Sequence, residues 1–324
     1  MKIKPAEGWA LNYVVELDLH SPGTAGAFLR ASNERRQVIA AFLSTRPCPT
    51  EPSEAIKLSD FISRADHREI LVAAYGDPPS GLRGALARSG PCPHRKQFYR
   101  HLCRLLKSPG DARVTATIGQ LDALDPWSLL IIEALPADIC TANLVKLVKS
   151  PTVAADIAKL VDLLIGNGIE AKALHQALQR VTTAAQLSEL WDRWSFKTVF
   201  PAHPIAQSNC YIPIMTGADL RAVALRHRNC VKGYLAQVLN GESAFAEFTA
   251  SGTVVIHLKL HEGQWTVEGV HAKDNDPVAP ELYAAALSYM ASHGIRTRPR
   301  HNETNGPWTV LRRLTRPHIW DWAN

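Results

Sequence analysis

The sequence predicts an α+β protein: an all-α region over 1–200, followed over 201–324 by a small α-α-β-β-β-α domain with an antiparallel meander. Three observations predict it. Apolar residues recur at helical spacing from about His94 to Trp194. Pro201, Pro204 and Pro213 then mark an irregular connection, where the domain boundary is placed. Beyond them, three short segments of β-branched and aromatic residues are joined by glycine-containing links.

The elements follow in order. Residues 8–20 partly alternate and read as a strand, and Ala25 to Gly76 is helical in pattern. Gly81 to Gly90 reads as an exposed loop or linker. Within the long helical run, Leu105-Leu-Lys-Ser-Pro109 and Leu147-Val-Lys-Ser-Pro151 stand 42 residues apart. Serine is a good N-cap and proline suits the first helical turn, so each Ser-Pro restarts a helix. The spacing also suits helical repeats of the paired HEAT type, but two hairpins of similar length are the simpler reading. Ile157 to Ile165 carries a helical apolar stripe, stopped by Gly166 and Gly168. One further helix is expected over Glu170–Arg193, ending in the aromatic run Trp191 to Phe196.

In the C-terminal domain, Thr216 and Asp219 form a capping-box-like start for a helix running to His227. A second helix is expected from Asn229 to Asn240, stopped by Gly241. Strands follow at 243–249, 253–260 and 265–271, then a helix over 280–292. The expected register sets Leu260 opposite Trp265, Leu258 opposite Val267 and Val254 opposite His271. That register puts His271 at the margin of the apolar face, and a slip of one residue would reverse it.

A chain of 324 residues with 46% hydrophobic and 20% charged residues has an ordinary globular balance and length for about two domains. No apolar run of membrane-spanning length is present, and the N-terminus lacks the apolar stretch of a signal peptide. The six cysteines form no C-x-x-C pair, so free thiols in a reducing cytoplasm are expected. The formal charge is +6, and the excess is uneven. Arg296, Arg298, Arg300, Arg312, Arg313 and Arg316 crowd one segment, with Glu303 its only acid. Interleaved with Trp308, Trp320 and Trp322, these arginines are candidate nucleic-acid contacts.

The densest chemistry lies in Leu225-Arg-His-Arg-Asn-Cys-Val-Lys-Gly-Tyr234 and His271-Ala-Lys-Asp-Asn-Asp-Pro277. Cations and a helix start both favour a thiolate at Cys230. His227 or His271 would act as its base, with Tyr234 and Asn275 positioning a substrate. The competing reading, which the residue type favours, is a buried structural thiol. Lys273-Asp-Asn-Asp276 suits a cation or a water, and suits a turn before proline better. Cys92, His94, His101 and Cys103 match no zinc-finger spacing, so no metal is expected. No phosphate-binding loop or dinucleotide fingerprint is present, and no cofactor is expected.

Ile212-Pro-Ile-Met-Thr216, Asp219-Leu220 and Asn229-Cys-Val-Lys-Gly-Tyr234, continued through Gly241 to Asn275, resemble the PcfJ-like family. The resemblance covers about residues 185–292. Cys230, Val231, Tyr234, Gly241 and Asn275 agree with the family pattern, whereas Asn229 stands where the family has histidine. The family is encoded largely by conjugative plasmids, phages and related mobile elements. The resemblance supplies that setting and a site, not a reaction. Joined to the cationic tract from Arg296 to Arg316, it makes the leading expectation a nucleic-acid-associated accessory or effector protein of such an element, or of the conflict around one, whose helical region docks a protein partner. A thiol-dependent hydrolase or transferase and a non-catalytic interaction scaffold are the alternatives.

Overall fold

The structure, a computed structural model, describes residues 8–107, 112–250, 252–297, 307 and 309–314. The protein is mixed α+β, with most helices in the N-terminal part and a five-stranded mixed sheet in the C-terminal part. It divides into two compact units, residues 1–154 and 155–324. The helices between 155 and 195 thus fall with the sheet, whereas the sequence pattern groups them with the N-terminal helices.

The first unit holds α1 (Trp9–Asp18), α2 (Thr24–Arg30), α3 (Asn33–Leu43), α4 (Pro52–Arg64), α5 (His67–Tyr75), α6 (Leu82–Ala87), α7 (Lys96–Lys107), α8 (Ala112–Gln120), α9 (Pro126–Ala134) and α10 (Ala142–Leu147). The segment expected as a strand at 8–20 is α1. It buries Ala10, Tyr13, Val14 and Leu17, a helical stripe that outweighs the partial alternation. Gly81–Gly90, expected as an exposed loop, contains α6, whose Leu82, Ala85 and Leu86 are buried. Gln37, fully buried on α3, organises the segment that follows. Its amide donates to the carbonyls of Gly90 (2.9 Å) and Cys92 (2.8 Å), and its oxygen accepts from Tyr99 (2.7 Å). Each polar atom is satisfied, which lets an amide sit inside an apolar core.

The helix α11 (Pro151–Gly166) begins where the Ser-Pro restart is expected, with Ser150 Oγ accepting from Val153 N at 3.2 Å. The single helix expected over 170–193 is two: α12 (Ala171–Gln179) and α13 (Ala184–Ser195). The β-branched run Val181-Thr182-Thr183 breaks it, and Thr183 caps α13 by accepting from Gln186 N.

The sheet order is β1 (Tyr211–Pro213), β2 (Ser243–Phe248), β3 (Val254–His261), β4 (Gln264–His271) and β5 (Arg296–Thr297). All neighbours are antiparallel except β4 and β5. The expected meander is β2-β3-β4, and two short strands extend its edges. One face carries Ala246, Phe248, Val254, Ile256, Leu258 and Val267, packed with Ala286 and Met290 of α16 (Pro280–Ser292). On the other face lie Ser243, Phe245, Glu247, Val255 and His257. It is covered by α14 (Gly217–His227), a 3-10 turn over Cys230–Tyr234 and α15 (Leu235–Leu239). A last helix, α17 (Thr309–Leu314), contacts α13 and α15.

Leu260 pairs with Trp265 and Leu258 with Val267, as the sequence predicts. A bulge then intervenes: Leu258 faces Val267 but His257 faces Gly269, which leaves Glu268 as the extra residue. His271 consequently stands opposite Val255 rather than Val254. It belongs to the face of Glu247 and His257, the reverse of the expected side.

Candidate functional site

The site is built where α14 ends. Thr216 caps the start of α14, its hydroxyl oxygen accepting from Asp219 N at 3.1 Å. Gly217 follows because the chain at Phe196 passes so close that a Cβ would lie 2.6 Å from Phe196 Cα. At the other end, the N–H groups of Arg228 and Asn229 both reach back to the Ala224 carbonyl, and Arg228 is left-handed, with φ 48. That conformation ordinarily selects glycine. An arginine there costs about 1 kcal/mol.

The helix expected over 229–240 does not form as one. Asn229 Oδ1 accepts from Val231 N at 3.3 Å and starts the 3-10 turn, which buries Val231 and leaves Cys230 exposed. The exposure of Cys230 corrects the expectation of a buried structural thiol: in a 3-10 turn the residue beside Val231 faces away from the core. Around Cys230 in the chain, Arg221, Arg226, Arg228 and Lys232 are all exposed.

Beneath this corner, Glu247 of β2 anchors α14. Arg226 donates to both of its carboxylate oxygens, Nε at 3.1 Å and Nη2 at 2.6 Å. His227 Nε2 donates to Oε1 at 2.8 Å. His227 and Glu247 are buried, whereas the Arg226 side chain is 57% exposed. Such an arrangement neutralises a buried carboxylate and keeps part of one guanidinium at the surface. His227 Nδ1 is buried without a hydrogen-bond partner among the described residues. The Cys230 thiol is therefore not bonded to His227, one of the two imidazoles expected to activate it.

Next along the same face is His257. Its ring stacks on Phe245 (centroids 4.3 Å apart, 14° between planes), and Tyr234 meets it edge-on at 4.8 Å. Its Nε2 lies 3.1 Å from Ser243 Oγ. Burial pushes this imidazole down to about 3, with His271 and Lys259 adding to the shift. His271 folds back across the open side of β4, where a Cβ on Gly269 would come within 2.7 Å of its Nε2. Tyr234 and His271 thus converge on His257.

After β4, a 3-10 turn over Lys273–Asn275 contacts α14. Asp274 is also left-handed, with φ 58, and its carboxylate lies 3.9 Å from Arg228 Nη1. The side chain of Asn275 lies outside the described residues, as do those of Arg312 and Arg313 in α17. Arg298, Arg300, Arg316, Trp308, Trp320 and Trp322 also lie outside them, while Arg296 is exposed in β5.

A cleft of about 270 Å³ opens on the outer side of the same segment. Asp192, Phe196, Arg221, Lys232, Gly233 and Leu311 line it. The Arg221 guanidinium stands 5.7 Å from the Phe196 ring centroid. Desolvation by neighbouring groups raises the pKa of Asp192, although the residue is exposed; Lys232 and Arg221 oppose the shift.

Sequence reasoning passed over Glu247 and the cleft. Glu247 had a signal, a lone carboxylate inside the apolar strand Ser243-Ala-Phe-Ala-Glu-Phe248. The cleft had none, because Asp192 and Lys232 come from elements 40 residues apart in the chain. Among the described residues, no three metal-ligating side chains gather, and no helix is long and apolar enough to cross a membrane. Compared with protein-family models, curated proteins and solved structures, the chain matches none.

Proposed function

We propose that the C-terminal unit binds nucleic acid through the cationic corner at the end of α14. The observation that carries this reading is Arg228: a left-handed position that favours glycine is occupied by an exposed cation, flanked by exposed Arg221, Arg226 and Lys232. Local strain retained at an exposed charge supports a binding role. Arg296, Arg298, Arg300, Arg312, Arg313 and Arg316 add a second cationic segment in the sequence. The likeness of the Cys230–Tyr234 region to PcfJ-like proteins supports a setting in mobile elements or phage and plasmid conflict. Six free cysteines support a reducing, cytoplasmic location. The helical unit would dock a protein partner, with Trp127 and Leu130 exposed on α9.

Binding of labelled single strands and duplexes to the full chain tests the proposal. Affinity should fall by orders of magnitude between about 50 and 200 mM salt. No binding at low salt removes the reading.

The exposure of Cys230 favours a second reading, a thiol-dependent hydrolase or transferase. It requires Cys230 to be alkylated faster at pH 6 to 7 than an ordinary free thiol, whose pKa is about 8.5. A rate no faster than that ends it.

A further inference from the structure

We infer that the cleft between α13 and the 3-10 turn seats one phosphate-and-sugar unit of single-stranded RNA, with Arg221 and Lys232 on the phosphate and Asp192 on the ribose 2′-hydroxyl. This inference rests on the nucleic-acid reading and names its ligand class. The volume, about 270 Å³, suits one nucleotide unit rather than a duplex groove. Two cations and one carboxylate line it; Lys232 and Arg221 act on Asp192 through space, and no ion pair within 4 Å joins them among the described residues. A phosphate alone would be served by the cations and repelled by Asp192. A ligand bearing both an anion and a hydroxyl donor uses all three groups. The raised pKa of Asp192 fits a carboxylate that gains from a hydroxyl donor. Arg221 has a second anchor in the face of Phe196, which fixes its guanidinium at the cleft wall. Lys232 lies two residues from Cys230 and four from Arg228 in the chain, so the cleft and the cationic corner share one segment.

The 2′-hydroxyl is the group by which a protein tells RNA from DNA. The full chain is titrated with matched oligoribonucleotides and oligodeoxyribonucleotides. The wild type should prefer the ribose strand by about tenfold, the effect of one hydrogen bond to a charged group. Asp192→Ala should erase that preference while leaving deoxyribose binding equal or tighter. Arg221→Gln and Lys232→Gln should weaken both strands and each lower the salt slope by about one. Equal affinity of the wild type for the two strands overturns the inference, and so does a preference that survives Asp192→Ala. Either result leaves nucleic-acid binding standing. Absence of binding to both strands at low salt removes the inference and the reading beneath it together. The wild-type comparison needs no variant, so a variant that misfolds leaves the test intact.

Discussion

Arg228 and Asp274 face each other at 3.9 Å, and each is a non-glycine residue in the left-handed region, with φ 48 and φ 58. One ends α14 and the other shapes the turn after β4. The exposed ion pair contributes little, because solvent screens it and both side chains lose freedom. The conformations are imposed by the surrounding backbone, which delivers a guanidinium and a carboxylate to the same rim.

Arg228→Gly should therefore stabilise the protein. Removing the left-handed penalty is worth about 1 kcal/mol, or roughly 3 °C in Tm for a unit of this size. The same variant should bind nucleic acid more weakly and with a shallower salt dependence. Thermal melts and binding titrations on one preparation check both directions.

Glu247→Ala should destabilise by about 3 kcal/mol, because it leaves buried His227 without the acceptor for its Nε2–H and releases the end of α14. Denaturant unfolding measures it. Glu247→Gln keeps an acceptor oxygen and should cost less, and an equal loss in both variants would point to packing rather than to the hydrogen bonds.

His257 makes stability depend on acid. In the unfolded chain its pKa is about 6.5; folded, it is held down to about 3 by burial, then by His271 and Lys259. Below about pH 6.5 the unfolded state binds a proton that the folded state refuses, so stability falls as pH drops toward 3 and levels off below it. The loss is on the order of a few kcal/mol. His257→Phe should flatten this part of the profile, and an unchanged slope between pH 4 and 6 would assign it to other groups.

Gly217→Ala should cost about 1–3 kcal/mol, since its Cβ meets backbone rather than a movable side chain. A melting temperature unchanged from wild type would show that Phe196 can retreat.

How much was legible in the sequence varies by element. The cap at Thr216, the helix over 280–292 and three strands were readable because each follows from a local pattern of caps, turns and apolar spacing. The segment around α1 was misread because a short stretch can alternate and still carry a helical stripe. His271 was placed on the wrong face because a single bulged residue, Glu268, shifts every side chain after it.

The sequence by itself determined an α+β chain with a helical N-terminal part, a Thr216-capped helix leading into a meander, and a cationic segment around a lone thiol. Local propensities suffice for these, since they act over a few residues. Tertiary structure decided that the thiol is exposed, that Glu247 clamps Arg226 and His227, that His271 turns toward His257, and that Asp192 meets Lys232 across a cleft. Those outcomes depend on sheet register and on the packing of distant segments, which no local pattern encodes.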